Sequence, residues 1–135
     1  MEVVAEHLGG VQFEVAARGH RVLCDQPIEN NGSDSGMSPP EFLLASLATC
    51  AAYYAAEYLK ARKLPEEGLK VRVTAEKMLH PARLASFRIE VSTAELDSRH
   101  RTGVVRAVKS CLIHNTLLAG PHIEIALSTA PLVSA

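Results

Sequence analysis

The sequence predicts an α+β fold in which antiparallel sheets pack around two central helices. Several short segments alternate apolar and polar residues with the period of two that is typical of half-buried strands. Residues 42–56 carry no charge and lie between Glu41 and Glu57, which favours a buried helix. The predicted order is strands, long helix, strands, helix, strand, which indicates antiparallel sheets rather than alternating βα units.

Three strands are predicted before the long helix. Val11, Phe13 and Val15 alternate with polar neighbours, so residues 11–17 form one strand. Residues 20–25 are its hairpin partner, with a turn near Gly19, and residues 2–7 provide a third strand. Residues 30–36 contain only Asn, Gly, Ser and Asp, a composition typical of a loop.

The long helix is expected to run from Ser38 to Arg62. Ser38 is a good N-cap, Pro39 suits the first helical position, and Glu41 completes a capping box. A helix of that length is about 36 Å long. Because it is apolar almost all round, we expect two sheets and a second subunit together to enclose it, which predicts a homodimer.

The second half of the chain continues the α+β pattern. The expected elements are strands over residues 71–75 and 87–92 joined by a turn at His80-Pro81-Ala82, a helix capped by Asp97 or Ser98 and reaching about Cys111, a short helix over residues 113–119, and a last strand containing Ile123, Ile125 and Leu127. No linker divides the chain, so residues 1–135 are expected to form a single domain.

Composition excludes several classes of protein. The net charge is −1, without the basic surface of a nucleic-acid-binding protein. The first residues lack the basic and apolar regions of a signal peptide, and the uncharged run is too short to cross a bilayer. Three cysteines without an export signal favour the cytoplasm, where structural disulfides are rare.

Two cysteines lie in the apolar helices. Cys50 is in the middle of the long helix, and Cys111 lies where the second helix is expected to break. An inert core thiol is one interpretation of Cys50, since free cysteine is among the most buried residue types. The other is a pair of thiols that meet, which requires their Cα atoms to come within about 4.4–6.8 Å.

Residues 38–50, SPPEFLLASLATC, resemble the first signature of the OsmC/Ohr family. Residues 110–117, SCLIHNTL, resemble the second signature, usually written C-P-V-x-x-T-L. The loop GSDSG at residues 32–36 is most similar to the OsmC-like branch called YhfA-like. The resemblance extends over nearly the whole chain.

This resemblance implies an interlocked homodimer that reduces organic hydroperoxides with a cysteine pair and no cofactor. By position, Cys50 would be the peroxidatic thiol and Cys111 the resolving thiol. Chemically, a thiolate attacks the peroxide oxygen and becomes a sulfenic acid, which a second thiol converts to a disulfide. An external dithiol must then reduce that disulfide.

The groups that would activate Cys50 match the family less well. Its glutamate directly follows the signature proline, ten residues before the cysteine, and here Pro40 holds that position. Glu41 is the nearest candidate, but nine residues of helix point it away from Cys50, so it is also interpreted as a capping residue. Arg21 and Arg18 are the candidates for the family arginine, each also explained as an exposed strand end.

The remaining cysteine and histidine positions are candidate metal ligands. Cys111 and His114 could be half of a zinc site, but no further ligands cluster with them, so no metal is expected. Cys24 is interpreted as a strand core residue. The alternatives to a peroxidase are a non-catalytic member that binds small apolar ligands or senses redox state, and a zinc-stabilised structural protein.

Overall fold

Two antiparallel sheets and three α-helices make up the computed structural model, which describes residues 1–133. The first sheet has the order β1-β2-β3, with strands Val4–Gly9, Gln12–Ala17 and His20–Cys24. The second pairs β4 (Lys70–Met78) with β5 (Arg83–Ser92), and the helices are α1 (Pro39–Ala61), α2 (Ser98–Val108) and α3 (Leu112–Ala119). The predicted α+β class is therefore confirmed.

The chain forms two compact units, which we describe in turn. One contains residues 1–42 and the described residues from 123 onward, and the other contains residues 43–122. In the first unit, β2 and β3 are joined at Arg18 and Gly19, both with positive φ, as predicted for a tight hairpin turn. Cys24 is buried at the end of β3, which confirms its interpretation as a strand core residue.

Asp25 is the polar centre of this unit. It is fully buried, and its carboxylate accepts hydrogen bonds from the Gln12 side chain and from the backbone N–H groups of Gln26, Ser33 and Ser35, at 2.8–3.1 Å. The hydrogen bond from Ser35 is the main cause that lowers the pKa of Asp25, against an opposing effect of burial. The loop predicted from composition is thus wrapped around one carboxylate.

Two glycines make this wrapping possible. A Cβ on Gly32 would lie 1.7 Å from the Gln26 carbonyl oxygen, and one on Gly36 would lie 2.3 Å from the Leu23 carbonyl oxygen. Any side chain at either position would therefore collide with backbone. These two glycines are therefore required by the close packing of the loop against the backbone at the end of β3 and just after it, and not only by the conformations of its turns.

Helix α1 begins as the sequence indicates. The Glu41 carboxylate accepts hydrogen bonds from the Ser38 N–H at 3.2 Å and the Ser38 hydroxyl at 2.6 Å. These hydrogen bonds, led by the one from the hydroxyl, lower the pKa of Glu41. The capping interpretation of Glu41 is confirmed, and the helix bounds differ from the prediction by one residue at each end.

The core of the second unit lies between α1 and α2. Ala51 and Ala55 of α1 belong to this cluster, and the β4–β5 sheet packs against it through partly buried aliphatic residues. The fully buried members are Ala51, Ala55 and Leu59 of α1 and Val104 and Val108 of α2.

Within one chain, α1 is buried along a single stripe rather than on every side. Its buried residues recur every four positions from Leu47 to Leu59, whereas Leu43 and Tyr53 are exposed. The predicted enclosure of the whole helix is therefore not achieved by one copy of the chain. By length and composition alone α1 could also cross a membrane, but its buried stripe packs as that of a core helix does.

The β4–β5 hairpin contains a bulge that the sequence pattern did not predict. Its register pairs Thr74 with Arg88 but Glu76 with Ala85, so β5 has one extra residue in between, and Ser86 has a φ of 52°. Alternation breaks at this point, which explains why the predicted strand began at residue 87 rather than at Arg83. The bulge lets Leu84 face the same cavity as Phe87.

The predicted last strand is wrong for the isolated chain. Residues 121–127 have no strand pairing, and Ile123, Ile125 and Leu127 are almost fully exposed. Their alternation is that of a strand, but none of the strands in the described chain pairs with it.

The α2 prediction was three residues too long, since the helix ends at Val108.

Asp25→Asn is expected to lower the midpoint of urea unfolding at pH 7, because an amide NH₂ would face backbone N–H donors. Since the folded-state pKa of Asp25 is lowered, its contribution is present above the unfolded pKa of about 3.9 and is lost as pH falls through the folded value. The difference from wild type should therefore shrink in acid. Asp34→Asn, in the same loop but exposed, is the control, and equal effects of both would contradict the role of Asp25.

Candidate active site

Cys50 and Cys111 are brought together in the second unit. Cys50 is half-buried on α1, three residues after the buried Leu47. Cys111 is fully buried between α2 and α3. The two thiols are near enough for each to shift the pKa of the other, and the three cysteines of the chain are free thiols. Both cysteines of the proposed pair thus belong to the same compact unit of one chain.

Cys111 is also the N-cap of α3. Its backbone is extended, at φ −57° and ψ 128°, and its sulfur accepts a hydrogen bond from the His114 N–H at 3.4 Å. The first N–H groups of a helix have no partner inside the helix, so they are available to an acceptor that lies just beyond the helix start. The N–H groups of Ile113 and Leu112 lower the pKa of Cys50.

These contacts separate the pKa values of the two thiols. Burial is the largest single effect on Cys50 and raises its pKa, but the hydrogen bonds from Cys111, Ile113 and Leu112 together outweigh it, so the pKa lies below its ordinary value. Burial also raises the pKa of Cys111, and there donation to Cys50 and repulsion by the Cys50 thiolate reinforce it. Cys50 is therefore the thiol that ionises first.

Leu112 occupies the position of the usual signature proline. The helix break that the sequence predicted remains, since α2 ends at Val108 and α3 begins at Leu112. Proline has no N–H, so leucine supplies an N–H that lowers the pKa of Cys50 and that the usual signature lacks. In the sequence, a helix start that directly follows a cysteine is the signal that could have indicated these free N–H groups.

Glu41 and the arginine candidates have other contacts. The Glu41 carboxylate is occupied by the Ser38 N–H and hydroxyl. The Arg21 guanidinium forms an ion pair with Glu14 across the β2–β3 hairpin and is largely exposed. Arg18 is an exposed turn residue with positive φ. The lowered pKa of Cys50 has its causes in Cys111 and the start of α3.

An apolar cavity of about 710 Å³ lies next to the helical turns that carry the two cysteines, although neither cysteine lines it. His114 lines it and belongs to the same helical turn as Cys111, and Leu47 lines it one helical turn before Cys50. Lys109 and His114 are its polar lining residues. The apolar ones are Leu43, Leu47, Leu84, Phe87, Ile89, Val91, Val105, Val108, Leu117 and Leu118.

The histidines do not assemble a metal centre in the described chain. Among residues 1–133, no group of three or more His, Cys, Asp or Glu side chains is placed to hold a metal ion. His114 instead donates its backbone N–H to Cys111, and its ring lies 3.3 Å from the Asn115 side-chain oxygen.

Comparison with known proteins gives one family. The family model described as "OsmC-like protein" matches residues 32–126, which include both cysteines and α1 to α3. No curated protein matches the sequence.

Several solved structures share the fold. The OsmC-like protein from Mycoplasma pneumoniae has a TM-score of 0.74 at 19% identity, covering 88% of this chain and 87% of the other. An organic hydroperoxide resistance protein from Legionella pneumophila has a TM-score of 0.60 at 16% identity, covering 88% and 90%. The organic hydroperoxide resistance protein of Bacillus subtilis has a TM-score of 0.58 at 18% identity, with the same coverage.

The two motifs around Cys50 and Cys111, the strand and helix order, and the match of the family model over most of the chain lead to one conclusion: this chain belongs to the OsmC-like protein family.

Proposed function

We propose that the chain is a thiol-dependent peroxidase that reduces organic hydroperoxides through Cys50 and Cys111. The observation that carries this proposal is the position of Cys50 beside the start of α3 and the Cys111 thiol, which together lower its pKa. Thiolates are the nucleophilic form of cysteine, and helix N-termini are known to stabilise them. Two fold relatives, from Legionella pneumophila and Bacillus subtilis, are named organic hydroperoxide resistance proteins, which supports the substrate class.

In the first step, the Cys50 thiolate attacks the terminal oxygen of the hydroperoxide. An S–O bond forms, the O–O bond breaks, and the alkoxide leaves with a proton as the alcohol. Sulfur is oxidised by two electrons to the sulfenic acid while the peroxide is reduced. The alkoxide takes this proton from solvent, while Cys111, whose raised pKa keeps it protonated, retains its own proton for the second step.

In the second step, Cys111 attacks the Cys50 sulfenic acid. The Cys50 thiolate contributes to the raised pKa of Cys111 by repulsion, so this contribution vanishes once Cys50 has become a neutral sulfenic acid. Cys111 can then ionise and form the disulfide, releasing the hydroxyl group as water. An external dithiol reduces the disulfide by exchange and restores both thiols.

The apolar cavity supports an organic substrate rather than hydrogen peroxide. Its lining is aliphatic and aromatic except at Lys109 and His114, so it favours the apolar part of an alkyl or aryl hydroperoxide. The same cavity would suit a non-catalytic protein that binds apolar ligands. The lowered pKa of Cys50 favours the peroxidase, since an inert core thiol has no need of donors.

We propose further that the protein acts as a homodimer in the cytoplasm and that residues 1–135 form a single OsmC-like domain in each copy. Exposed apolar residues support the dimer. Leu43 and Tyr53 of α1 are exposed, and the segment Ile123–Leu127 has the alternation of a strand without a partner among the described strands. A second copy would cover both surfaces, since a soluble protein rarely leaves large apolar patches in water.

The rate of Cys50 alkylation by iodoacetamide is expected to rise with pH and to reach half its maximum below about pH 8.5, the ordinary pKa of cysteine. Leu112→Pro should shift this midpoint upward, because it removes one N–H donor to the sulfur. Proline suits the first helical position, and Cys111 already has the extended backbone required before a proline. Leu112→Ala retains the N–H and is the matched control. A midpoint that Leu112→Pro leaves unchanged would contradict activation by α3.

Glu41→Gln and Arg21→Gln are companion variants in the same titration. Neither is expected to move the Cys50 midpoint, because Gln can also serve in a capping box and Arg21 is paired with Glu14. An upward shift with either variant would show that it belongs to the activating machinery.

Mass spectrometry after one equivalent of cumene hydroperoxide tests the peroxidase function. The wild type should form a Cys50–Cys111 disulfide, Cys50→Ser should consume no peroxide, and Cys111→Ser should turn over once and leave Cys50 as a sulfenic acid. Cys24→Ser, which changes a thiol outside the pair, should behave as wild type. Unmodified Cys50 in the wild type would rule out the peroxidase.

Sedimentation velocity at micromolar concentration tests the assembly. We expect a dimer, and Ile125→Lys should weaken it by placing a charge on the exposed apolar segment. Lys60→Glu, an exposed change at the end of α1, is a control for altered charge. A wild-type protein that sediments as a stable monomer would refute the dimer.

A further inference from the structure

A second groove, of about 860 Å³, lies between the end of α1 and the outer face of α2. It shares no lining residue with the apolar cavity. Its lining is basic and rich in hydroxyl groups, and consists of Tyr58, Arg62, Ser98, Arg99, His100, Thr102, Gly103, Arg106, Ala107 and Ser110.

Tyr58 shapes this groove by lying across α2 at a glycine. A Cβ on Gly103 would lie 1.9 Å from the Tyr58 hydroxyl oxygen, so only glycine permits this approach. The Tyr58 hydroxyl is 3.1 Å from Nδ1 of His100, and the Arg62 guanidinium lies 3.7 Å from the centre of the Tyr58 ring. One tyrosine therefore positions an arginine and a histidine at the same time.

The charge of the groove is not neutralised by its surroundings. Arg62, Arg99 and Arg106 line it, and no Asp or Glu does. Among residues 1–133, the ion pairs within 4 Å involve other arginines, Arg21 and Arg88. The adjacent Asp97 caps α2, where its carboxylate accepts the His100 N–H at 2.8 Å.

We propose that this groove binds a small molecule carrying phosphate groups. Guanidinium groups match phosphate oxygens in pairs, and weakly hydrated arginine is the usual residue for this task. The hydroxyl groups of Ser98 and Ser110 add donors along the same wall, whereas the Thr102 hydroxyl donates to the Ser98 carbonyl at 3.0 Å. A groove of this volume exceeds a single phosphate, so the ligand has either two linked phosphates or a phosphate attached to an organic group.

This inference does not depend on the peroxidase. The groove residues lie on the part of α1 beyond Cys50, on α2 and, for Ser110, just after α2, and none of them is among the groups that shift the pKa of Cys50. Binding there is a separate property of the same chain, and it would persist in a protein without thiol chemistry.

Isothermal titration with inorganic pyrophosphate tests the proposal on the full chain. We expect saturable binding that weakens as salt is added, with affinity lower by about tenfold or more in Arg62→Gln and in Arg106→Gln. Arg101→Gln is the matched control, because Arg101 is exposed on α2 but does not line the groove. Cys50→Ser should bind pyrophosphate as the wild type does, which separates this site from the proposed catalysis.

Three results would overturn the proposal. The first is no saturable binding of pyrophosphate at millimolar concentrations. The second is an equal loss of affinity in Arg101→Gln, which would indicate diffuse attraction to the helix surface. The third is co-sedimentation with phosphatidylglycerol vesicles without binding of soluble pyrophosphate, which would identify the groove as a contact for a membrane surface.

Discussion

The site depends on the first N–H groups of α3, which lower the pKa of Cys50. They exist only because α2 ends at Val108 and the chain restarts as a helix at Leu112, with Cys111 at the junction. That junction is held against α1 by the packing of Val104 and Val108 on the small residues Ala51 and Ala55. The core of the second unit therefore sets the chemistry as well as the stability.

Neutral donors have an advantage in an apolar site. An ionised group in the interior is costly unless it is paired or hydrogen-bonded, and a buried arginine would add a second charge that needs its own partners. Backbone N–H groups at a helix start are already oriented and carry no net charge. The thiolate can thus be stabilised while the adjacent cavity stays apolar enough for an organic ligand.

The sequence predicted best those features that are determined by residues close to one another in the chain. The bounds of α1 follow from Ser38, Pro39 and Pro65, which act on their immediate neighbours, and the cysteine pair followed from two motifs. Asp25 was missed because a carboxylate after a strand is usually a turn residue, and its burial depends on a loop that folds back over it.

The residues from Ile123 to Leu127 and the start of β5 were mispredicted for related reasons. An alternating segment forms a strand only if another strand pairs with it, and no pairing partner is found among the described residues. In β5 the alternation is interrupted at Ser86, so a pattern of period two could not extend through it. Both errors arise because each strand was predicted from its own residues alone, without the strand with which it must pair.

The bulge at Ser86 also gives β5 one residue more than β4 over the same length of the ladder. Because the extra residue is absorbed between Ala85 and Phe87, the side chains on both sides keep their facing, with Leu84 and Phe87 lining one cavity. Deletion of Ser86 would restore a regular hydrogen-bond ladder and reduce the local twist of the strands. Leu84 and Phe87 would still line the cavity after this deletion. The strand can therefore lose one residue here without exchanging the buried face of the sheet for the exposed face.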